Sequence, residues 1–184
     1  MINGAQAVKV FLLAYLAWMV LDFLIKTSRK EGYVPLYLMA VWYAAILFSV
    51  ADFRLLIEFL RLHTTIMYHG PAWINYSCLV FFAGGAWLRY LIVQTLRRHD
   101  APDRPIEAGP FRVLRYPLYT AFLLQLFSII FFFGSGGGLL LVLLGGIPLV
   151  LREIAREERE NEEEFGHAFV EYKSRTKRLV PFIW

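Results

Sequence analysis

The chain has 184 residues, of which 58% are hydrophobic and only 18% charged, and its mean hydropathy is +0.51. An average soluble domain is roughly 45–50% apolar and about 25% charged, so this balance argues against disorder, a collagen-like repeat or a soluble doubly wound enzyme and points to lipid as the surroundings of the excess apolar surface. A net charge of +4 gives no electrostatic footprint for nucleic acid, and the single Cys78 excludes an internal disulfide or a thiolate metal cluster.

Residues 6–25 form the first apolar run, with Lys9 and Asp22 near its ends. About 20 apolar residues cross a bilayer, and the run lacks a small-residue cleavage site, so it reads as a retained span and not a removable signal. The second run covers 34–53. After it, Arg54 and Glu58 stand at i,i+4 in a segment, 54–69, that suits a helix leaving the membrane or lying on it. The third run, 72–96, is interrupted only by Arg89, an intramembrane charge of the kind that faces a partner or a cavity. Runs at 118–133 and 139–151 follow, joined by GSGGG at 134–138, which predicts a tight helical hairpin. Gly145, Gly146 and Pro148 predict a bend in the last run. No alternation of period 2 persists, which argues against a β-barrel. The expected fold is all-α: one polytopic membrane domain, 1–184, with five transmembrane helices and a helical tail, 152–184.

The basic residues orient this arrangement. Lys26, Arg29 and Lys30 lie in the first loop, and Arg97, Arg98, Arg104, Arg112 and Arg115 in the third. The tail adds Arg152, Arg156, Arg159, Lys173, Arg175, Lys177 and Arg178. With five spans all of these fall on one side, against Lys9, Arg54 and Arg61 on the other. The positive-inside rule then places the N-terminus outside and the tail in the cytoplasm. Polar chemistry collects on that face in two segments, the 97–119 loop and the tail.

Those two segments carry a resemblance. GPFRVLRYPLY at 109–119 resembles the GPYRxxRHPxY signature of the isoprenylcysteine carboxyl methyltransferase family. EERENEEEFGHAFVEYKSRTKRLVPFI at 157–183 is similar to that family's closing pattern: a Glu-Glu pair, then Phe-Gly, spaced aromatics and a final Pro, here Glu157-Glu158, Phe165-Gly166, Phe169, Tyr172 and Pro181. Residues 1–95 match only in hydrophobicity.

The resemblance implies an integral membrane enzyme that uses S-adenosylmethionine, held at the cytosolic face, to methylate a lipidic or hydrophobic acceptor. A prenylcysteine-like carboxylate is one such acceptor. Carried across residue by residue, the cofactor contacts are Ile106, Phe111, Tyr116, Pro117, Leu118, Tyr119 and Glu157, with Glu158 beside it. The adjacent pair points about 100° apart on a helix, so only one of them reaches the cofactor directly. The residue types suit the ligand. Pro117 starts a helix whose free N–H groups favour a carboxylate, a Glu favours an ammonium, and aromatic faces favour adenine and a sulfonium.

Three departures from the family stand out. Tyr116 replaces a His, and Glu153 replaces an acceptor-binding Arg, leaving Arg152 and Arg156 as the nearest basic candidates for the acceptor. The linker before Gly109 is also short. No catalytic residue is singled out. An ionised carboxylate or thiolate acceptor needs no base, whereas an amine or phenol does, and His99, Asp100, His167 or a tail Glu could then serve. The four histidines show no paired metal-ligand spacing, Glu162–Glu164 reads as a solvated helix face, and Tyr116 and Tyr119 taken without the surrounding motif read as interfacial aromatics. Two rival functions remain: an NADPH-dependent reductase of the sterol-reductase kind, against which EEEFGHAF speaks, and a non-catalytic relative of the scaffold. Expected partners are the lipidic acceptor and membrane lipids, with no nucleic acid.

Overall fold

A computed structural model describes residues 72–99, 104–133 and 136–179, together with helical residues 13–15, 17–18, 20, 37–40 and 43–44. Among these residues there is no strand, and the elements are helical throughout. Helix α1 spans Ala72–Arg98, ending on the basic pair that closes the third apolar run. A short 3-10 turn follows at Gly109–Arg112. Helix α2 runs Pro117–Phe133 with proline as its first residue, where a missing N–H costs nothing. Helix α3, Gly136–Leu141, passes into a π-helical turn at Val142–Gly146 and then into α4, Ile147–Phe165. Gly166, at φ +53°, stops α4, and α5 takes His167–Arg175.

Two expectations change. The glycines at 136–138 belong to the helix and not to the joint before it, since glycine only weakens a helix, by about 1 kcal/mol relative to alanine. The predicted bend takes the form of the π turn just before Pro148, and the helix continues from the last apolar run into the charged tail. A widened turn accommodates the N–H that Pro148 lacks without breaking the helix.

Two described helices are long and apolar enough to cross a membrane by length and composition, Ser77–Arg98 and Gly137–Phe165, while Pro117–Phe133 is shorter. Five spans are therefore not reached by the described helices. Most of the runs at 6–25 and 34–53, the 54–69 segment and Asp100 lie outside the described residues.

The core sits between α1, α2 and the α3–α4 helix. Gly85 of α1 lies so close to α2 that an added Cβ would stand 2.8 Å from Gln125 Cγ and 3.0 Å from the Ala121 carbonyl. The Ser128 hydroxyl donates to the Cys78 carbonyl at 2.9 Å across the same contact. The first two apolar runs also contribute: Tyr15 and Leu38 are buried in the main cluster with Leu126, Ile129 and Val150, and the Tyr15 hydroxyl donates to the Gln125 carbonyl at 3.2 Å. Arg89 is buried in α1, as befits a charge in an apolar run.

The tail returns to the 113–116 segment. Arg115 N–H donates to the Lys177 carbonyl at 2.7 Å, Lys177 N–H to Val113 at 3.1 Å and Tyr116 N–H to Arg178 at 3.2 Å, forming an isolated parallel bridge between Leu114 and Lys177. The Tyr172 hydroxyl donates to the Phe111 carbonyl at 2.7 Å, and Thr120 Oγ1 to the Leu179 carbonyl at 2.8 Å. These ties hold the start of α2 against α4 and α5.

Candidate functional site

The sequence around Gly109 makes a turn that only glycine fits. Gly109 has φ +55°, and a Cβ there would stand 2.3 Å from Thr95 Oγ1. The 3-10 turn buries Phe111 and delivers the chain to Tyr116 and the start of α2. A cleft opens there between the 105–119 segment, α4 and α5. Its lining includes Ile106, Phe111, Tyr116, Pro117, Leu118, Tyr119 and Glu157. Those are seven of the eight residues that the family resemblance assigns to the cofactor. Sequence reasoning missed Arg115 and Asn161, which also line it, and left Phe165, Phe169 and Tyr172 without a role there. Asn161 was findable: it lies one turn beyond Glu157 on the same helix face.

The eighth residue is turned elsewhere. Glu158 is buried and does not line the cleft. Its carboxylate accepts from Arg178 Nε at 3.1 Å and Nη2 at 2.8 Å, and lies 3.2 Å from Arg115 Nη2 and 3.4 Å from Lys173 Nζ. Arg115 Nη1 also donates to the Lys173 carbonyl at 2.6 Å. Glu158 is thus the centre of a clamp joining α2's entry, α5 and the returning tail.

Glu157 faces the cleft. It accepts a hydrogen bond from the Tyr119 hydroxyl. Burial is the main influence on its carboxyl and pushes it up to about 7; the Tyr119 hydrogen bond opposes the shift, and the nearby charge of Glu153 adds to it. The residue lies in the charged half of the helix, beyond the apolar stretch that ends at Leu151.

Among the described residues two buried donors in the lining have no partner, the Tyr116 hydroxyl and Arg115 Nε. Asn161 stands near enough to Tyr116 to favour its ionised form, yet the hydroxyl completes no hydrogen bond. Burial, with the charges of Glu158 and Glu157, holds Tyr116 far above the usual tyrosine range. Unpaired buried donors are uncommon in native proteins and mark a missing acceptor. Leu118 and Tyr119, in the first turn of α2, add backbone N–H groups that a helix start leaves without intrahelical partners.

A second cleft, of about 360 Å³, lies on the neighbouring face of α4 and is lined by Tyr37, Leu149, Arg152, Glu153, Arg156 and Arg159. Both acceptor candidates from the sequence, Arg152 and Arg156, are here. Glu153 is buried, accepts from the Tyr37 hydroxyl and pairs with Arg156. His99 lies apart from both clefts, bonded to the Thr95 carbonyl at 3.0 Å, and His167 is exposed on α5. Glu163 and Glu164 are exposed, while Glu162 pairs with Lys173 at 2.8 Å. Among the described residues no His, Cys, Asp and Glu grouping could hold a metal ion.

Fold and site define, among the described residues, an all-helical protein with helices of membrane-spanning length and an aromatic and acidic cleft beyond their apolar part. Comparison with family models, curated proteins and solved structures finds no match for the chain.

Proposed function

We propose that the protein is an integral membrane methyltransferase that takes its methyl group from S-adenosylmethionine and passes it to a lipidic acceptor. The observation that carries the reading is the convergence of Ile106, Phe111, Tyr116–Tyr119 and Glu157, assigned from sequence motifs alone, on one cleft. The lining suits that cofactor. Glu157 offers a carboxylate to its ammonium. The Tyr116 hydroxyl, Arg115 Nε and the start of α2 offer donors to its carboxylate. Phe111 and Tyr116 offer ring faces to its adenine and sulfonium. Bound there, S-adenosylmethionine would supply a methyl group activated by positive sulfur, so the protein's own task is to hold two reactants in line and exclude water.

The cleft encloses only about 40 Å³ of free space, against roughly 300–1,000 Å³ for a small-molecule site. Binding therefore requires one wall to move. Pro105 and Ile106 form the wall that lies outside any helix, and among the described residues the neighbouring Glu107 makes an exposed ion pair with Arg175 at 4.0 Å.

In this reading the chain crosses the membrane five times. The runs at 6–25 and 34–53 supply the first two spans, the N-terminus lies outside, and the cleft faces the cytoplasm. Equilibrium binding to detergent-purified protein tests the function. S-Adenosylmethionine should bind and NADPH should not. Binding of NADPH alone would replace the reading with a reductase, and binding of neither would leave a non-catalytic scaffold.

A further inference from the structure

We propose that the second cleft receives the headgroup of an aminophospholipid, with its phosphate on Arg152, Arg156 and Arg159 and its amine directed to Glu153. This deepens the function proposed above by naming the acceptor, and it rests on that reading for the methyl transfer.

The three arginines recur at i, i+4 and i+7, so they form one stripe along α4. The stripe begins immediately after the apolar run ends at Leu151, the level at which a phosphate sits in a lipid monolayer. Among the described residues Arg152 and Arg159 enter no ion pair, while Arg156 is shared between Glu153 and Glu160. Helix α3 and the π turn that lead into α4 expose Leu140, Leu143 and Leu144, a surface suited to acyl chains, and Leu149 carries the apolar lining into the cleft.

Arginine alone would fit any lipidic anion. Glu153 selects among them. It is buried at 3% exposure within the lining, and Glu157 follows one turn later at the edge of the first cleft. Two carboxyl groups beside the stripe repel a carboxylate acceptor and attract an ammonium. The pattern of cations next to a buried carboxylate matches a zwitterion with phosphate and amine a few bonds apart. Glu153 and Glu157 also stand between the two clefts on α4, so an amine held at Glu153 lies on the side facing Tyr119 and Glu157.

The reaction balances without a further reagent. The neutral amine nitrogen donates its lone pair to the methyl carbon, a new N–C bond forms, and the C–S bonding pair leaves with sulfur as a neutral thioether. The proton that nitrogen must first lose passes to a carboxylate, Glu153 or Glu157.

The test is equilibrium binding, in detergent and without S-adenosylmethionine, of short-chain phosphatidylethanolamine. It is compared with short-chain phosphatidylcholine, short-chain phosphatidic acid, inorganic phosphate and a farnesylcysteine carboxylate. Phosphatidylethanolamine should bind best, and inorganic phosphate about tenfold or more weaker, because it lacks the chains. The double variant Arg152→Ala/Arg159→Ala should lose about tenfold for both phosphatidylethanolamine and phosphatidic acid, the scale of one lost charge-assisted hydrogen bond. Glu153→Gln should remove the preference for the amine and leave phosphatidic acid bound as well or better, an effect that simple misfolding does not produce. Equal binding of phosphate alone, preference for the farnesylcysteine carboxylate, or an unchanged preference in Glu153→Gln would overturn the proposal. S-Adenosylmethionine binding is measured separately on the same preparation, so its absence counts against the methyltransferase reading and not against the headgroup site.

Discussion

The Tyr119 hydroxyl, one turn into α2, donates a hydrogen bond to Glu157, in the middle of α4. That contact joins the two segments in which the sequence concentrates its polar chemistry, and it fixes which of two adjacent glutamates faces the cleft. Burial, which this hydrogen bond opposes, leaves the half-buried Glu157 carboxyl poised near neutrality.

The poise has a thermodynamic sign. The folded protein raises Glu157 from 4.5 to about 7, so between those values the folded state binds more protons than the unfolded state. Stability from this group is fully present below about pH 4.5 and is lost as pH rises through about 7. Glu157→Gln should therefore raise the melting temperature of ligand-free protein at pH 8, by an amount equivalent to about 1–3 kcal/mol, and much less at pH 5. The same substitution should weaken S-adenosylmethionine binding by about 1.5–3 kcal/mol at pH 8, the scale of a hydrogen bond to a charged group. Wild-type affinity should fall as pH drops below 7, and the variant's should stay flat. Thermal unfolding and binding at three pH values measure both effects. A variant that is less stable at pH 8 would refute the assignment of a half-buried carboxylate held above its ordinary range.

Glu158 should behave in the opposite way. It is surrounded by Arg115, Lys173 and Arg178 and is buried. Removing one partner of a buried ion network costs about 3–5 kcal/mol, because the remaining charges lose their counterion. Glu158→Ala should lower the melting temperature sharply, while exposed Glu163→Gln should change stability by less than about 0.5 kcal/mol. Equal effects at the two positions would dissolve the clamp.

Gly109 and Thr95 offer a double-mutant test of the turn that carries the motif. Gly109→Ala adds a Cβ 2.3 Å from Thr95 Oγ1 and also occupies positive φ. The second penalty alone is about 1–2 kcal/mol. Thr95→Ala removes the nearest atom, so the double variant should recover part of the loss but not the backbone strain. Chemical denaturation of the four proteins would show a coupling energy of favourable sign; strict additivity would mean that Thr95 does not set the space at Gly109.

The lining was legible only through the family resemblance: Ile106, Phe111, Tyr116–Tyr119 and Glu157 were carried across from its motifs, and all of them line one cleft. The division of labour between Glu157 and Glu158 was not legible. It depends on Arg178, which reaches Glu158 only after the tail has paired with the 113–116 segment, and no local pattern announces that return. Glu153 was read as a departure from the family's acceptor-binding Arg, with Arg152 and Arg156 as the nearest basic candidates. The structure gathers them with Tyr37 from a distant run, a contact that hydropathy cannot foresee. The π turn was half visible: two glycines and a proline signal a distortion, but not whether the helix breaks or widens.

The five-span arrangement proposed for the chain has its own test. A reporter fused after Trp184 should report the cytoplasm and one ahead of Met1 the opposite side, as the distribution of basic residues requires. Both termini on one side would mean an even number of spans.

Tyr116 is where the sequence departs most plainly from the family it resembles, and its surroundings separate two roles. Its ring is buried beside Tyr119, with centroids 6.2 Å apart, while its hydroxyl is buried without a partner. A ring that only packs would gain nothing from that hydroxyl, and burying it unpaired costs about 1–3 kcal/mol. Tyr116→Phe should therefore match or exceed the wild type in thermal stability. If the hydroxyl exists to meet a ligand, the same variant should bind S-adenosylmethionine more weakly, by about 0.5–1.5 kcal/mol for a neutral hydrogen bond. Tyr116→Ala removes the ring face as well and should cost about 1–3 kcal/mol of affinity, together with stability from the cavity it leaves. Tyr116→His restores a ring and a donor and should recover most of the binding. Titrations of all four proteins, each corrected for its folded fraction, decide the matter. A phenylalanine variant that is more stable yet binds as tightly as wild type would reduce Tyr116 to packing and leave its orphaned hydroxyl unexplained by this ligand.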